Sequence, residues 1–443
     1  MHSPPDKSPG TTATGETPPT VRPEMTRMTA ENARTPAPGP APTRETEFTL
    51  EPVIVLVLSV FMLLFGLLLF RIHTGELPYA PDSTYGLFLV IVALQVITLG
   101  QTPFGRIRRS WLVIMSGISA AIIGMGACFI PGSLSAIVRM LVGVILTFGG
   151  AALLLQLVLD RQKAATWITI PGILRHLTIA CGLVYVMAFL LGLITLVPAI
   201  TNDSFTSVLL IINGVSLFYL AWCIQVTERT YPAATPVTAR EEKTRRSFFL
   251  RDAPLPFTTA VLVFLGILLA FLAVLLVPIS MGTLPFSPDG QFGLLLVIMA
   301  IQMLAVGETP VGQFRRSWPV VLVGLVFVTL GVFSCIVPGI LTELLRIMLA
   351  ILNIAGGLVP LALRLWPVVL QMRDPPAVPV SIPAPLKHLF ITQAVLNLVG
   401  ILFGISMLLP GLIPGMVVAA ILFFNGLLLF LLAYILGRLP AAA

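Results

Sequence analysis

The side chains of this sequence that could do chemistry are few, and they come in pairs. Gln95 and Gln302 stand at matching places in two halves of the chain, as do Asn213 and Asn425. The same holds for Asp82 and Asp289, and for Arg139 and Arg346. The four amides fall within long apolar runs, where an amide needs a partner on a neighbouring helix. They read either as interhelical glue or as the polar lining of a cavity between the halves. The four charged residues fall at the ends of apolar runs. There Asp82 is expected to pair with Arg139, and Asp289 with Arg346, pinning one loop over the next two helices. An arginine that snorkels to the surface and an anion site are the other readings. Glu343 lies one turn from Arg346, but Ala136 takes its place beside Arg139, so that ion pair is not shared.

A longer motif is also written twice. Residues 100–111 read GQTPFGRIRRSW, and residues 307–318 read GETPVGQFRRSW. Thr102 and Pro103, like Thr309 and Pro310, end a helix, and Gly105 and Gly312 allow a tight turn. Arg108, Arg109, Arg315 and Arg316 hold the loop on the cytoplasmic side, and Trp111 and Trp318 suit the headgroup level. Topology accounts for every residue of the motif. The functional alternative is a site for anionic lipid, or a gate between the halves. His176 and His388 match as well, beside Arg175 and Lys387. They read as interfacial histidines or as a pH sensor.

Much chemistry is excluded. The sequence has no HExxH, no GxSxG and no pair of carboxylates inside an apolar run. Cys128, Cys181, Cys223 and Cys335 lie in apolar runs without CxxC spacing, and so read as small buried hydrophobes. No catalytic residue, metal site or cofactor is expected, and an enzyme is not.

The elements that position these residues follow from composition. Of 443 residues, 57% are hydrophobic and 10% charged, with mean hydropathy +1.00. A soluble domain carries about 25% charge. The chain is expected to be an all-α membrane protein. A spanning helix needs about 20 apolar residues. Runs of that kind fall at 52–71, 85–101, 111–130, 134–159, 173–198 and 206–226, and again at 256–277, 292–307, 318–338, 341–366, 389–409 and 415–437. That makes twelve spans, with the runs at 85–101 and 292–307 the short ones. From Gly75/Gly282 to Leu154/Leu361 the halves align without a gap, 207 residues apart, with 31 of 80 positions identical. After a five-residue insertion the match resumes at Ile170–Pro171 and Ile382–Pro383, 212 residues apart. Two copies of a six-helix unit are expected, at 52–226 and 256–443.

The net charge of +7 is read as a topology signal, not a nucleic-acid signal. Lys and Arg gather in cytoplasmic loops. Here 23 of the 26 fall in the tails and in the loops after even-numbered spans, leaving Arg71, Arg139 and Arg346 on the other side. Both termini are then cytoplasmic, and the copies are parallel repeats about an axis along the membrane normal. Residues 1–51 are Pro- and Thr-rich and predict a disordered cytoplasmic tail. No cleavable signal peptide is read. The joint at 227–255 is basic, with Phe248, Phe249 and Leu250 among its arginines. It suits an anionic inner leaflet or a plain solvated linker. Lipid is the expected partner. A small-molecule substrate and a homo-oligomer stay open.

Within each copy a smaller pattern recurs: a helix with Gly, a Pro at the turn, and a Gly-bearing return helix. Gly124, Pro131 and Gly149 follow it, as do Gly192, Pro198 and Gly214; Gly331, Pro338 and Gly356; and Gly404, Pro410 and Gly426. Each copy is expected to be three helical hairpins. With turns such as LGLITLVP at 191–198 and LGVFSCIVPGI at 330–340, the chain resembles the HdeD-like family of small bacterial six-helix membrane proteins. The resemblance covers four of the six hairpins, and this chain differs in being a fused double unit with a long tail. It implies a bacterial inner-membrane protein with a part in acid resistance, and carries over no site residues. The six-plus-six layout also resembles the major facilitator superfamily, which implies a secondary transporter with its site between the halves. That family's loop motif has an Asp between its Gly and its basic residues, and neither motif here does.

Overall fold

The computed structural model describes residues 50–99, 111–132, 134–159, 169, 172–197, 203–231, 257–306, 318–373, 384–409 and 413–438. Among these residues there are twelve long α-helices and no strand. They are α1 (Leu50–His73), α2 (Pro81–Leu99), α3 (Trp111–Phe129), α4 (Ser135–Leu159), α5 (Ile173–Leu196), α6 (Asp203–Thr230), α7 (Phe257–Ser280), α8 (Pro288–Val306), α9 (Trp318–Ile336), α10 (Thr342–Arg373), α11 (Ala384–Leu408) and α12 (Gly415–Arg438). Nine of them hold a described stretch long and apolar enough to cross a bilayer. The apolar stretches of α2, α8 and α9 are shorter: Pro81–Ile97, Pro288–Ile301 and Val321–Ile336. The chain is an integral membrane protein built of helices, as hydrocarbon demands of a backbone that must satisfy its own hydrogen bonds. Residues 1–49 and most of the basic joint, 232–256, lie outside the described residues.

Helix ends repeat between the copies. Gly75, at φ +76°, closes α1 with hydrogen bonds from the amides of Gly75 to Ile72 O and of Glu76 to Arg71 O, each at 3.0 Å. Gly282, at φ +72°, closes α7 with the same pattern, from Gly282 to Ile279 O and from Thr283 to Pro278 O. Both are glycine C-caps, where a side chain would be strained. Pro81 and Pro288 then open α2 and α8 at the first helical position, where no amide is needed.

Of the three successive hairpins expected in each copy, only the third packs as one, α5 with α6 and α11 with α12. Helices α1 and α2, and α3 and α4, touch little. The extensive contacts are α1 with α6, α2 with α3, and α4 with α5, and likewise α7 with α12, α8 with α9, and α10 with α11. Glycines explain the choice. A Cβ placed on Gly124 would lie 2.5 Å from Gly86 O, and one on Gly331 2.6 Å from Gly293 O. One on Gly150 would lie 2.7 Å from the Phe189 amide nitrogen, and one on Gly404 2.7 Å from Ala350 O. These contacts join α2 to α3, α8 to α9, α4 to α5 and α10 to α11. The backbone without side chains is what permits them. Gly149 and Gly356, the expected contact positions, face open space; Gly150 and Gly357, one residue on, make the close approach.

The two short runs are wrapped in protein. Leu87 to Ile91 are five consecutive residues of α2, none more than 3% exposed. Leu294 to Ile298 of α8 are buried in the same way. Five consecutive positions cover every face of a helix, so a helix apolar all round is an enclosed one. By contrast α4 and α10 turn large apolar side chains outward, among them Phe148, Leu155, Ile351 and Leu363. Such a surface suits lipid chains.

The halves meet through α1, α2 and α3 on one side and α7, α8 and α9 on the other. Each contact has a counterpart with the halves exchanged: α1 with α9 and α7 with α3, α2 with α9 and α8 with α3, α2 with α7 and α8 with α1. The Cys128 and Cys335 thiols are neighbours across this interface. Both are free and buried.

Candidate functional site

Five helices of the first copy, α1, α2, α4, α5 and α6, stand in a ring, each touching the next, α1 and α2 only lightly. They line an open-mouthed cavity of about 500 Å³. Its body is apolar: Phe61, Phe65 and Phe88, with Val142, Leu146 and Leu210. The rings of Phe61 and Phe88 stand 5.6 Å apart, and Phe65 stacks on Tyr79 at 6.3 Å. The rim is polar. It carries His73 from the end of α1, Tyr79 from the following loop, Thr84 and Tyr85 from α2, Arg139 from α4, Thr195 from α5, and Asp203 and Thr206 from α6. All lie at the end of the bundle that bears the 74–80 loop and the turn at Pro131 and Gly132. The size falls in the range of small-molecule pockets, about 300–1,000 Å³.

The charges at this rim are unequal in their partners. His73 Nδ1 and Asp203 Oδ2 are 3.3 Å apart, both well exposed. Burial pushes the pKa of the Tyr79 phenol well above its ordinary value, with the neighbouring Tyr85 adding to the effect. Tyr79 therefore stays a hydrogen-bond donor. Arg139 is exposed, and no carboxylate lies within ion-pair distance of it among the described residues.

The expected ion pairs do not form. Asp82 accepts a hydrogen bond from the Gly132 amide at 2.5 Å instead. Asp289 accepts one from the Thr342 hydroxyl, and Arg346 bonds Glu343 at 2.6 and 3.0 Å and the Met407 carbonyl at 3.2 Å. Both aspartates open a helix and are 7% exposed. From there they reach the adjacent turn or helix start, while Arg346 turns to Glu343 and to the Met407 carbonyl of α11 and Arg139 lies beside Tyr85 of α2. Asp82 and Asp289 still fasten one loop over the next helices, but through an amide and a hydroxyl.

The matched amides do not gather around this cavity. Gln95, Asn213 and Asn425 are not among its lining residues. Asn213 is 3% exposed and its Oδ1 has no hydrogen-bond partner. Asn425 is half-buried, and the Gln302 side chain lies outside the described residues. Thr102, Pro103, Gly105, Arg108 and Arg109, with Thr309, Pro310, Gly312, Arg315 and Arg316, also lie outside them; Trp111 and Trp318 begin α3 and α9. His176 Nδ1 sits 2.7 Å from the Tyr219 hydroxyl, and His388 is exposed.

Sequence reasoning missed His73, Tyr79, Thr84, Tyr85, Thr195, Asp203 and Thr206. It sought positions the copies share, and these are positions where they differ. Tyr79, Thr84 and Tyr85 align with Phe286, Gln291 and Phe292; Thr195, Asp203 and Thr206 align with Met407, Gly415 and Val418.

No family model, curated protein or solved structure matches this chain. What the fold and the cavity define is a class only: an integral, multi-helix membrane protein.

Proposed function

We propose that this is a non-enzymatic, multi-pass solute-recognition protein of the bacterial inner membrane. Its first copy forms the binding unit and its second copy the scaffold. The observation that carries the reading is the ringed cavity, with an apolar body and a rim of hydroxyls, phenols and charges. Twelve spans in two parallel six-helix repeats are part of the proposal, with both termini cytoplasmic. The exchange of partners across the interface supports that repeat arrangement, and the distribution of Lys and Arg supports the topology. The cavity then opens to the outside. The resemblance to the HdeD-like family suggests a part in stress resistance, which a deletion strain scored for survival at low pH and against a solute panel tests. The alternative is a secondary transporter, for which this cavity puts the solute within the first copy and not between the halves.

The test is access. Thr195→Cys and Thr206→Cys, made singly, should react with a membrane-impermeant maleimide added outside intact cells. The aligned Met407→Cys and Val418→Cys should react far less. The native thiols are buried and give little background. Labelling of the first pair only after permeabilisation would refute an outward cavity.

A further inference from the structure

We infer that the first-copy cavity binds a small organic monocarboxylate with an aromatic or compact aliphatic body. This rests on the reading of that cavity as the recognition site. The key is a comparison the protein makes within itself. Arg139 and Arg346 occupy the same place in the two copies, near the start of α4 and of α10. Arg346 is supplied with an anion by its own helix, since Glu343 lies 2.6 Å from it, three residues before. At the position of Glu343 the first copy has Ala136. Arg139 therefore faces the cavity rim with its charge uncompensated, beside the Tyr85 phenol.

The rest of the lining fits the same ligand. A carboxylate on Arg139 gains a charge-assisted, bidentate hydrogen bond. The Tyr85 phenol beside Arg139 can donate to it as well, with Tyr79 next to it; the Thr84 and Thr195 hydroxyls donate to Ala80 O and Leu191 O and leave their oxygen lone pairs to the rim. Below them, Phe61, Phe65 and Phe88 offer ring faces and edges to an apolar body. Asp203 disfavours a second negative charge, and its Oδ2 already lies 3.3 Å from His73 Nδ1. A monoanion with an apolar tail satisfies each of these groups. In the second copy the ligand would meet Glu343, Phe286, Phe292 and Met407, so one site per chain is expected.

The experiment uses the full chain in lipid nanodiscs, with phenylacetate as probe and the isosteric neutral phenylacetamide as control. Phenylacetate should bind saturably and raise the unfolding midpoint, and phenylacetamide should bind about tenfold more weakly or worse. Ala136→Glu installs in the first copy the pair the second copy already accommodates, and should weaken phenylacetate by about tenfold or more. Ala136→Gln, of the same shape without charge, should bind as the wild type does, and so should Arg346→Gln. The inference is overturned if phenylacetate shows no saturable binding, if phenylacetamide binds as well, or if Ala136→Glu leaves binding unchanged. Thr195→Trp, which obstructs the rim, separates the two failures. Amide binding that this variant abolishes keeps the cavity and removes the anion. Acid binding that survives it removes the cavity reading too.

Discussion

The backbone amide of Ala80 donates to the carbonyl of Ile336 at 3.0 Å, across the boundary between the halves. Its image with the halves exchanged is the amide of Ser287 on the carbonyl of Phe129, at 3.1 Å. Both bonds join the residue before an opening proline to the end of α9 or α3. Main-chain bonds of this kind depend on geometry, not on side-chain identity. Cleavage of the chain at a protease site placed within 232–256 should therefore leave two halves that co-purify in mild detergent. Halves that separate on a sizing column would contradict the interface.

Glycine substitutions should divide sharply by contact. Gly124→Ala drives a methyl to 2.5 Å from Gly86 O and 2.9 Å from the Leu89 Cβ. It should cost about 1–3 kcal/mol, seen as a lower unfolding midpoint. Gly149→Ala meets nothing within 4 Å and should cost nothing. Equal effects from the two would show that α2 and α3 are not in close contact.

Asp82 should act without Arg139. Asp82→Ala removes the charged acceptor of the Gly132 amide and should destabilise by about 1–3 kcal/mol, while Asp82→Asn keeps an acceptor and should lose less. Combining Asp82→Arg with Arg139→Asp should give the sum of the single effects. Rescue in that double mutant would mean an ion pair the structure does not contain.

Glu343→Ala tests the opposite case. Glu343 is largely exposed, and Arg346 keeps the Met407 carbonyl when it is lost. The change in stability should be about 1 kcal/mol or less. A much larger loss would mean the pair organises α10 and α11 rather than merely neutralising an arginine.

The loops at 74–80 and 281–287 should lie on one side of the membrane, as parallel repeats require. Glu76→Cys and Thr283→Cys should label with an impermeant reagent from the same side. Opposite sidedness would rule out the parallel arrangement.

The helices were legible because their signal is local. The run expected at 134–159 is α4 at Ser135–Leu159, and that at 173–198 is α5 at Ile173–Leu196. Pairing was less legible, because a turn proline marks where the chain reverses and not which helix it packs on. Gly124 and Gly86 decide that jointly, and they are far apart in sequence. Asp82 and Arg139 were named together because opposite charges at matched depths invite pairing. An amide such as that of Gly132 carries no mark in the sequence. The cavity was invisible because Tyr79, Thr195 and Asp203 become neighbours only when α1, α2, α5 and α6 close their ring.

The Ala136/Glu343 difference has a consequence for why the unit is duplicated within one chain. Two identical chains meeting through the same interface would carry two open arginines or two neutralised ones, never one of each. Covalent linkage lets the halves share a frame while their sequences drift apart. One half can then keep its arginine satisfied by a residue of its own, Glu343 for Arg346, while Ala136 stands in that place in the other. Stoichiometry is thus set by the gene and not by assembly: one open arginine per molecule, at any protein concentration.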